Sequence, residues 1–215
     1  MARGRAAGYD DQREQILQQA AALFARQGYA ATSMNEVAQA CGLSKPAIYH
    51  YFRDKYALLF EICNTHLTRL LTLEQAAKQS ALQTPGVDAE QSLRQLIASF
   101  VEEYALSAHA HRVLTESVRY LQGDDLQQVL NKERALVAGC SATLAQIRPD
   151  LDEAGLSKAI SMLLFGMMNW MFTWLRSDGA LDQEAMAQLV ADLFLGGIGE
   201  VKTPSLKAEK KLAQI

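Results

Sequence analysis

Residues 34–53, which read MNEVAQACGLSKPAIYHYFR, restrict the possible fold more than any other part of this chain. Two short helices that cross over a tight turn require a small residue where they touch, a glycine in the turn and a branched apolar residue within the second helix. Ala38, Gly42 and Ile48 meet these three requirements. The remaining inward positions at helical spacing belong to Val37, Cys41 and Leu43. The pattern therefore predicts a helix-turn-helix.

Start and stop signals place this motif within a head of three helices. The first helix is predicted to begin at Asp11 and to end at Gly28, a residue that readily adopts the left-handed conformation of a helix end. Ser33 and Glu36 have the spacing of a capping box at the start of a second helix. Ser44 is predicted to cap a third, very short helix.

Helical periodicity continues through the rest of the chain, and alternating strand patterns are absent from the sequence. The fold class is therefore predicted to be all-α, with a larger helical domain of about nine helices after the head. A long helix is expected from near Asp54 to about Ala77, and breaks are expected at residues 83–88, 123–125, 148–150 and 177–179. We predict a DNA-binding head (1–55), an effector-binding and dimerisation domain (56–200) and a flexible basic tail (201–215).

Composition and charge limit the classes of function. The net charge is −3, but residues 1–56 hold seven basic and five acidic side chains, so a slightly basic head precedes an acidic body. Residues 1–11 have no apolar run typical of a signal peptide, and the most apolar segment, 162–175, is too short to cross a bilayer. We expect a cytoplasmic protein that does not enter a membrane. Its three widely spaced cysteines are expected to be reduced core thiols that bind no metal.

Residues 11–60 resemble the DNA-binding module of the TetR family. The resemblance rests on the order of the phrases ILQQAAALFARQGYAATSMNEVAQACGLSKPAIYHYFRDKYALLFEI. The family pattern has a phenylalanine and a glycine near the end of the first helix, T-[ST] before the second, and then A-x-x-x-G-[VL]-S-[KR]-[GP]-x-[LI]-Y-x-[YH]-F-x-[DNS]-K. Pro46 stands where glycine is commoner, which affects the local fit to DNA and leaves the fold intact.

The resemblance implies a set of DNA contacts. Thr32 and Ser33, at the start of the second helix, are expected to contact the DNA backbone through hydroxyls and helix N–H groups. Ser44 and Lys45 are expected to open the recognition helix, with Pro46 in its first turn, against phosphates and base edges. Ala47 is small enough to admit a thymine methyl group.

Further contacts are expected on both sides of the recognition helix. Tyr49, His50 and Tyr51 are predicted to approach phosphates or sugars. The alternatives are that either tyrosine packs in the three-helix core and that His50 is merely solvated. The remaining predicted contacts are a phosphate clamp by Lys55 and minor-groove contacts from an unstructured arm by Arg3 and Arg5.

The last helix carries an apolar stripe suited to dimerisation, which a symmetric operator requires. Its side chains recur at helical spacing, at Met186, Leu189, Val190, Leu193 and Phe194. In TetR relatives the last two long helices form a four-helix bundle with their mates, and Met171 and Trp174 are assigned to the same interface. The alternative is that this helix is internal to the subunit core.

Residues 162–174 are apolar on all sides, so one face of this helix can line a pocket while another packs on a partner. The alternative is that they are simply core. The predicted pocket residues are Phe100, Tyr104, Tyr120, Val137, Cys140, Phe165, Met168, Asn169, Trp170 and Phe172. Residues 169–179 and the segment LVADLFLGGI are similar to TetR regulators of fatty acid, sterol or aromatic acid breakdown. That similarity implies an acyl-CoA or hydrophobic acid effector, whose phosphates have candidate partners in Arg112, Arg119 and Arg134.

Enzyme and interaction-protein functions are the rival classes. The sequence has no Walker loop, dinucleotide fingerprint, nucleophile elbow or HExxH motif. His109 and His111 are two residues apart on a predicted helix and therefore face different ways, which makes a poor metal pair. We predict a ligand-responsive repressor that binds double-stranded operator DNA as a homodimer, is no enzyme and needs no cofactor. The alternative is a helical interaction protein or an enzyme that reuses the fold without DNA binding.

Overall fold

The computed structural model describes residues 2–175 and 181–202, except for the side chains of residues 2–7 and of Phe172. Within these ranges the chain forms ten α-helices and two short 3-10 turns, and it has no strand there. The all-α prediction is confirmed. The break predicted at 177–179 and nearly all of the predicted tail lie outside the described residues.

The head consists of α1 (Ala2–Gln27), α2 (Met34–Ala40) and α3 (Lys45–Tyr49). Helix α1 begins at Ala2 rather than at Asp11, so the unstructured arm predicted for Arg3 and Arg5 is wrong: their backbone is helical. The physical reason is that alanine and arginine are strong helix formers, and residues 2–7 contain little else. The side chains of both arginines lie outside the described part of the structure.

The predicted helix-turn-helix is confirmed in detail. Gly28 has φ 89° and its N–H donates to Phe24 O at 2.9 Å, which ends α1. Gly42, with φ 66°, makes the turn between α2 and α3 in a conformation that side-chain-bearing residues rarely adopt. Val37 and Ile48 are fully buried, so each short helix is anchored by one apolar side chain.

Within the described ranges seven α-helices follow the head, where about nine were expected. They are α4 (Lys55–Gln83), α5 (Ala89–Leu106), α6 (Ala108–Ser117), α7 (Gly123–Ile147), α8 (Pro149–Glu153), α9 (Ser157–Asn169) and α10 (Gln183–Gly199). The number is smaller because α4 and α7 run for 29 and 25 residues without a break. The predicted helix through Trp174 ends at Asn169 and is followed by a 3-10 turn, Met171–Thr173.

Helix α4 connects the head to the body. Its first half packs against α1, and its length contacts α5, α6 and α7. Leu58 and Leu59 are fully buried near its start, as are Phe100 and Ile97 of α5, so the core of the head continues into the core of the body. Helix α10 packs on α5, and α9 packs on α7. None of the described helices is long and apolar enough to span a bilayer.

Candidate nucleic-acid interface and ligand sites

The recognition helix α3 is held at its start by a side-chain cap. Ser44 Oγ accepts a hydrogen bond from Ala47 N–H at 3.3 Å. Because Ile48 is fully buried, the opposite flank of α3 faces outward. Ser44, Lys45, Pro46 and His50 are exposed, and Tyr49 keeps 44% of its surface accessible. The structure therefore brings these predicted contact residues together on one outer surface.

Tyr51 and Ala47 are less accessible than the rest of the predicted contact set, since both are half-buried. The ring of Tyr51 stacks on the ring of Tyr9 in α1, with centroids 4.7 Å apart and planes inclined by 21°. One face of Tyr51 is thus occupied inside the head. Tyr9 was missed in the sequence because it precedes the predicted start of the first helix.

Thr32 and Ser33, the two hydroxyl residues before α2, have different environments. Ser33 is exposed and forms the predicted capping box: its Oγ accepts from Glu36 N–H at 3.3 Å, and Glu36 Oε2 accepts from Ser33 N–H at 2.7 Å. Thr32 is only 2% exposed, and its hydroxyl donates to Gly28 O at 2.9 Å. The predicted DNA contact through the Thr32 hydroxyl is therefore wrong, because that group is buried and already bonded within the head.

Lys55 is also used inside the head. Its Nζ donates to Tyr29 O at 2.7 Å and to Ala30 O at 3.2 Å, and it lies 4.5 Å from the centroid of the Tyr29 ring. These contacts tie the start of α4 to the turn between α1 and α2. The prediction of a phosphate clamp at Lys55 is not what the structure shows, because the ammonium group is committed to main-chain carbonyls.

The predicted dimer stripe divides into two faces. Met186, Val190 and Phe194 are buried within the subunit, where α10 packs on α5, and Met171 is 5% exposed. For these four residues the predicted interface role is wrong, and the alternative of an internal position is correct. The predicted interface residues that remain exposed are Leu189 (43%), Leu193 (61%) and Trp174 (53%).

Helices α9 and α10 nevertheless present an exposed apolar surface, which we call the α9/α10 face. Met162, Leu163 and Met167 of α9, and Trp170 directly after it, are exposed at spacings that share one side of a helix. Helix α10, which contacts α9, adds the exposed Leu189 and Leu193. Trp170 is 66% exposed. It therefore belongs to this face, and its predicted role as a pocket wall is wrong.

Four of the predicted pocket residues form packed core. Phe100, Cys140, Phe165 and Met168 are buried, and the rings of Phe100 and Phe165 lie 6.1 Å apart. The two cavities described below are lined by none of these four, nor by Val137 or Asn169. In this conformation the four buried side chains fill the space between the helices, and the role of these residues as pocket walls stays a prediction.

Tyr120 lies in the 3-10 turn Val118–Tyr120, where it is half-buried and packs against the core. Its ring centroid is 5.0 Å from that of Tyr29, so it packs at the junction of head and body. Tyr104 is the one predicted pocket residue that borders a described cavity, a space of about 570 Å³ between α5 and the start of α10. The side chain of Phe172 lies outside the described set.

A second cavity, of about 560 Å³, opens between α1, α4 and the α5–α6 connection. We call it the junction cavity because α1 belongs to the head and α5 and α6 to the body. No local pattern in the sequence predicts this cavity, because its walls come from three segments about 40 residues apart in the chain.

A buried polar cluster lies behind the junction cavity. His66 Nε2 is 3.2 Å from His111 Nδ1, so one ring nitrogen donates to the other, and the His111 ring stacks on Tyr104 with centroids 3.8 Å apart. His66 Nδ1 is 3.7 Å from Glu103 Oε1, which also accepts from Ser107 Oγ at 2.6 Å. Burial lowers the pKa of His66 to about 3 and that of His111 to about 4, so both rings are neutral at neutral pH.

The three cysteines are free thiols, as expected. Burial raises the pKa of Cys63 to about 12 and that of Cys140 to about 11, which leaves both as unreactive thiols. Across residues 2–175 and 181–202, no group of three or more His, Cys, Asp or Glu side chains is arranged to hold a metal ion.

Comparisons with known proteins cover both parts of the chain. The profile described as bacterial regulatory proteins, tetR family, matches residues 16–62, and the profile described as tetracyclin repressor-like, C-terminal domain, matches residues 86–198. The HTH-type transcriptional activator FasR of Mycolicibacterium smegmatis is 24% identical over 202 residues, which is 93% of this chain and 88% of that protein.

Solved structures share the fold. A TetR-family transcriptional regulator from Bordetella parapertussis superposes with a TM-score of 0.79 and 35% identity, covering 88% of this chain and 97% of that one. AibR in complex with isovaleryl coenzyme A and operator DNA superposes with a TM-score of 0.70 and 22% identity, covering 85% of this chain and 97% of AibR. At that identity the likeness to AibR shows the fold alone.

Proposed function

Because this chain belongs to the TetR family of bacterial transcriptional regulators, we propose that it is a repressor that binds a palindromic operator as a homodimer and is released by a small apolar or acyl-CoA-like effector. Family members and relatives are DNA-binding regulators and not enzymes. The direction of regulation, the dimer and the effector class are the parts that we propose.

The observation that carries the proposal is the outward surface of α3. Lys45 and Tyr49 are exposed on a helix that is anchored from behind by Ile48 and capped by Ser44. This arrangement suits insertion of α3 into a major groove with its first turn against base edges. The contact residues that we retain in the proposal are Arg3, Arg5, Ser33, Ser44, Lys45, Pro46, Ala47, Tyr49, His50 and Tyr51.

The proposed domain boundary lies at the start of α4. We assign DNA binding to residues 1–55 and effector binding with dimerisation to residues 56–200. The start of α4 at Lys55 supports this boundary. Because α4 contacts α1 of the head as well as α5, α6 and α7 of the body, a shift of α4 would change the packing of both parts. We assign dimerisation to the α9/α10 face, because a monomer rarely leaves so many large apolar side chains exposed together.

The effector class rests on the resemblance and on AibR, whose structure contains isovaleryl coenzyme A. The three arginines suggested for its phosphates are exposed and have weak partners: Arg112 pairs with Glu116 at 2.9 Å, Arg134 bonds Asn131 at 2.9 Å, and Arg119 lies over the Tyr120 ring. Exposed pairs of this kind exchange readily for a phosphate. Entry of an acyl chain would require the packed core around Phe100 and Phe165 to open.

The DNA-binding test is fluorescence anisotropy with duplexes from the region upstream of the gene. We expect sequence-selective binding that weakens by roughly 10³ or more between about 50 mM and 200 mM salt. Lys45→Ala and Tyr49→Ala should each weaken binding by about tenfold. Arg134→Ala, on the exposed surface of α7, is the matched control and should leave affinity unchanged. Binding that survives Lys45→Ala/Tyr49→Ala would overturn the assignment of α3.

The effector test titrates short- and long-chain acyl-CoA esters, the free acids and coenzyme A into the protein–operator complex. Release by acyl-CoA or acid, but not by coenzyme A, supports the effector class, and release by none of them rejects it. Reporter expression from the operator, with and without the regulator, decides between repression and activation.

A further inference from the structure

The first part of α1 contacts the segment that follows the recognition helix. Tyr9 of α1 stacks its ring on that of Tyr51, the second residue after α3, with centroids 4.7 Å apart and planes inclined by 21°. Stacking is an arrangement that aromatic pairs favour. A residue outside the helix-turn-helix is therefore in contact with one that we assign to the operator.

A second α1 side chain contacts the next residue of the same segment. Arg13 follows Tyr9 by four residues and so lies on the same side of α1. Its guanidinium carbon is 5.0 Å from the centroid of the Phe52 ring, and it also pairs with Glu61 of α4 at 3.0 Å. Phe52 is buried, whereas Tyr51 is only half-buried. Of these two contacts, only the one made by Tyr9 supports a side chain that can still reach DNA.

The backbone of Tyr51 is held by α3, but its hydroxyl is not bonded. Tyr51 N–H donates to the main-chain oxygen of the fully buried Ile48 at 3.0 Å. Among the described residues none bonds the Tyr51 hydroxyl, which is not one of the buried polar atoms that lack a partner. The hydroxyl is therefore accessible. Because the side chain can rotate about its first two bonds, the stack with Tyr9 restricts where the hydroxyl points.

Tyr9 is more accessible than an aromatic residue of the core. Its exposed fraction is 43%, whereas Phe24 of the same helix is 1% exposed. An aromatic side chain stabilises a core mainly through the area that it removes from water. The contact of Tyr9 with Tyr51 thus does more to orient the second ring than to bury the first.

We propose that Tyr9 is a positioning residue for operator binding: its ring holds the ring of Tyr51 so that the Tyr51 hydroxyl donates to a phosphate oxygen of the DNA. Tyr9 itself makes no contact with DNA in this assignment. The stack orders the side chain before DNA arrives, so less of its freedom is lost on binding. The inference rests on the proposed operator binding and deepens it by giving a role to a residue outside the helix-turn-helix.

The first test compares three α1 variants by operator anisotropy. Tyr9→Ala removes the ring and keeps a strong helix former, and it should weaken binding by about tenfold because both heads of the dimer lose the stack. Tyr9→Phe keeps the ring and should bind as the wild type does. Gln15→Ala, at an exposed position of the same helix, is the matched control and should leave affinity unchanged.

Two results of this comparison count against the proposal. Unchanged affinity in Tyr9→Ala would show that the stack has no part in operator binding. Equal losses in Tyr9→Ala and Tyr9→Phe would show that the Tyr9 hydroxyl contacts DNA directly, which contradicts a positioning role.

A double-mutant cycle separates positioning from a general loss of stability. Tyr51→Phe should itself weaken operator binding by about tenfold, and Tyr9→Ala should then cost little more affinity, because the hydroxyl that it positions is gone. The free energy of unfolding should behave differently. Tyr9→Ala should lower it equally in both backgrounds, since either ring at position 51 can stack. Additive losses of affinity, or an unchanged affinity in Tyr51→Phe, would overturn the proposal.

The salt dependence shows which kind of contact is lost. Neither ring is charged, so the slope of log affinity against log salt should be the same for Tyr9→Ala and the wild type, whereas Lys45→Ala should reduce it by about 1 for each head. A reduced slope in Tyr9→Ala would place the loss at a basic side chain and reject the role of the Tyr51 hydroxyl. If Lys45→Ala weakens binding and Tyr9→Ala does not, only the positioning role fails. Wild-type protein that binds no operator would overturn both proposals.

Discussion

The hydroxyl of Tyr56 bonds both main-chain polar atoms of Gln122: it donates to the carbonyl oxygen at 3.2 Å and accepts from the N–H at 3.1 Å. Tyr56 lies in the first turn of α4, and Gln122 immediately precedes α7. The rings of Tyr29 and Tyr120 also meet at this junction, with centroids 5.0 Å apart and planes inclined by 39°. The head is thus fastened to the body by a polar contact in addition to the shared core.

Tyr56→Phe removes this contact and keeps the ring. Each lost hydrogen bond should cost about 1 kcal/mol, so the free energy of unfolding is expected to fall by about 1–2 kcal/mol. Urea unfolding measures it, with the dependence on urea concentration unchanged. Tyr49→Phe removes an exposed hydroxyl as the control and should leave stability within about 0.5 kcal/mol of the wild type. Equal stability of both variants would show that water replaces the Gln122 contact.

The buried histidine pair makes stability depend on pH. The pKa of His66 is lowered to about 3 and that of His111 to about 4 by burial, whereas both titrate near 6.5 once unfolded. Between these values the unfolded chain binds more protons than the folded chain. Stability is therefore complete above about pH 6.5 and is lost as pH falls towards 4, by up to about 1.4 kcal/mol per pH unit for each histidine.

Urea unfolding at several pH values between 4 and 7 tests this dependence. His66→Gln should flatten the slope of unfolding free energy against pH, because one titrating ring is gone. His109→Gln, at an exposed position two residues from His111, should keep the slope of the wild type. The groups that face His66 are Arg69 on its own helix, Glu103 and Tyr104 of α5 and His111 of α6. A slope that His66→Gln leaves unchanged would contradict the assignment.

Gly139 of α7 makes room for a buried carboxylate. Glu74 of α4 is 5% exposed and forms an ion pair with Lys78, and a methyl group on Gly139 would overlap with the Glu74 carboxylate. Gly139→Ala should therefore lower the free energy of unfolding by about 1–3 kcal/mol. A double-mutant cycle with Glu74→Ala should recover part of that loss, because the overlapping group is then absent. If the two substitutions change the free energy of unfolding additively, overlap with Glu74 is not the cause of the loss.

The sequence allowed the head to be predicted because its signals are local. Ser33 with Glu36, and the two glycines at 28 and 42, act within a few residues of the turns they form. The roles of Thr32 and Lys55 were not predictable in the same way. Thr32 and Ser33 carry the same functional group, and a shift of the helix start by one residue decides which hydroxyl is buried.

The body was predicted less well because its contacts are distant in sequence. His66 and His111 are 45 residues apart, so no spacing indicates their pairing. The spacing of apolar residues in α10 indicates which side chains lie on one broad side of the helix. It does not indicate which of them pack on α5 and which stay exposed. In the structure Met186, Val190 and Phe194 are buried, whereas Leu189 and Leu193 are exposed.

The α9/α10 face yields the last prediction. Leu193 is 61% exposed in α10, one helical turn after the exposed Leu189. If this face joins two subunits, Leu193→Glu places two charges in a desolvated apolar interface and should convert the dimer to a monomer. Analytical ultracentrifugation measures the change. Leu82→Glu is the matched control, because Leu82 is 87% exposed at the far end of α4 and should tolerate the charge. The monomer should also lose most of its operator affinity, since one head supplies only half of the contacts. A Leu193→Glu protein that sediments as a dimer would exclude the α9/α10 face as the interface.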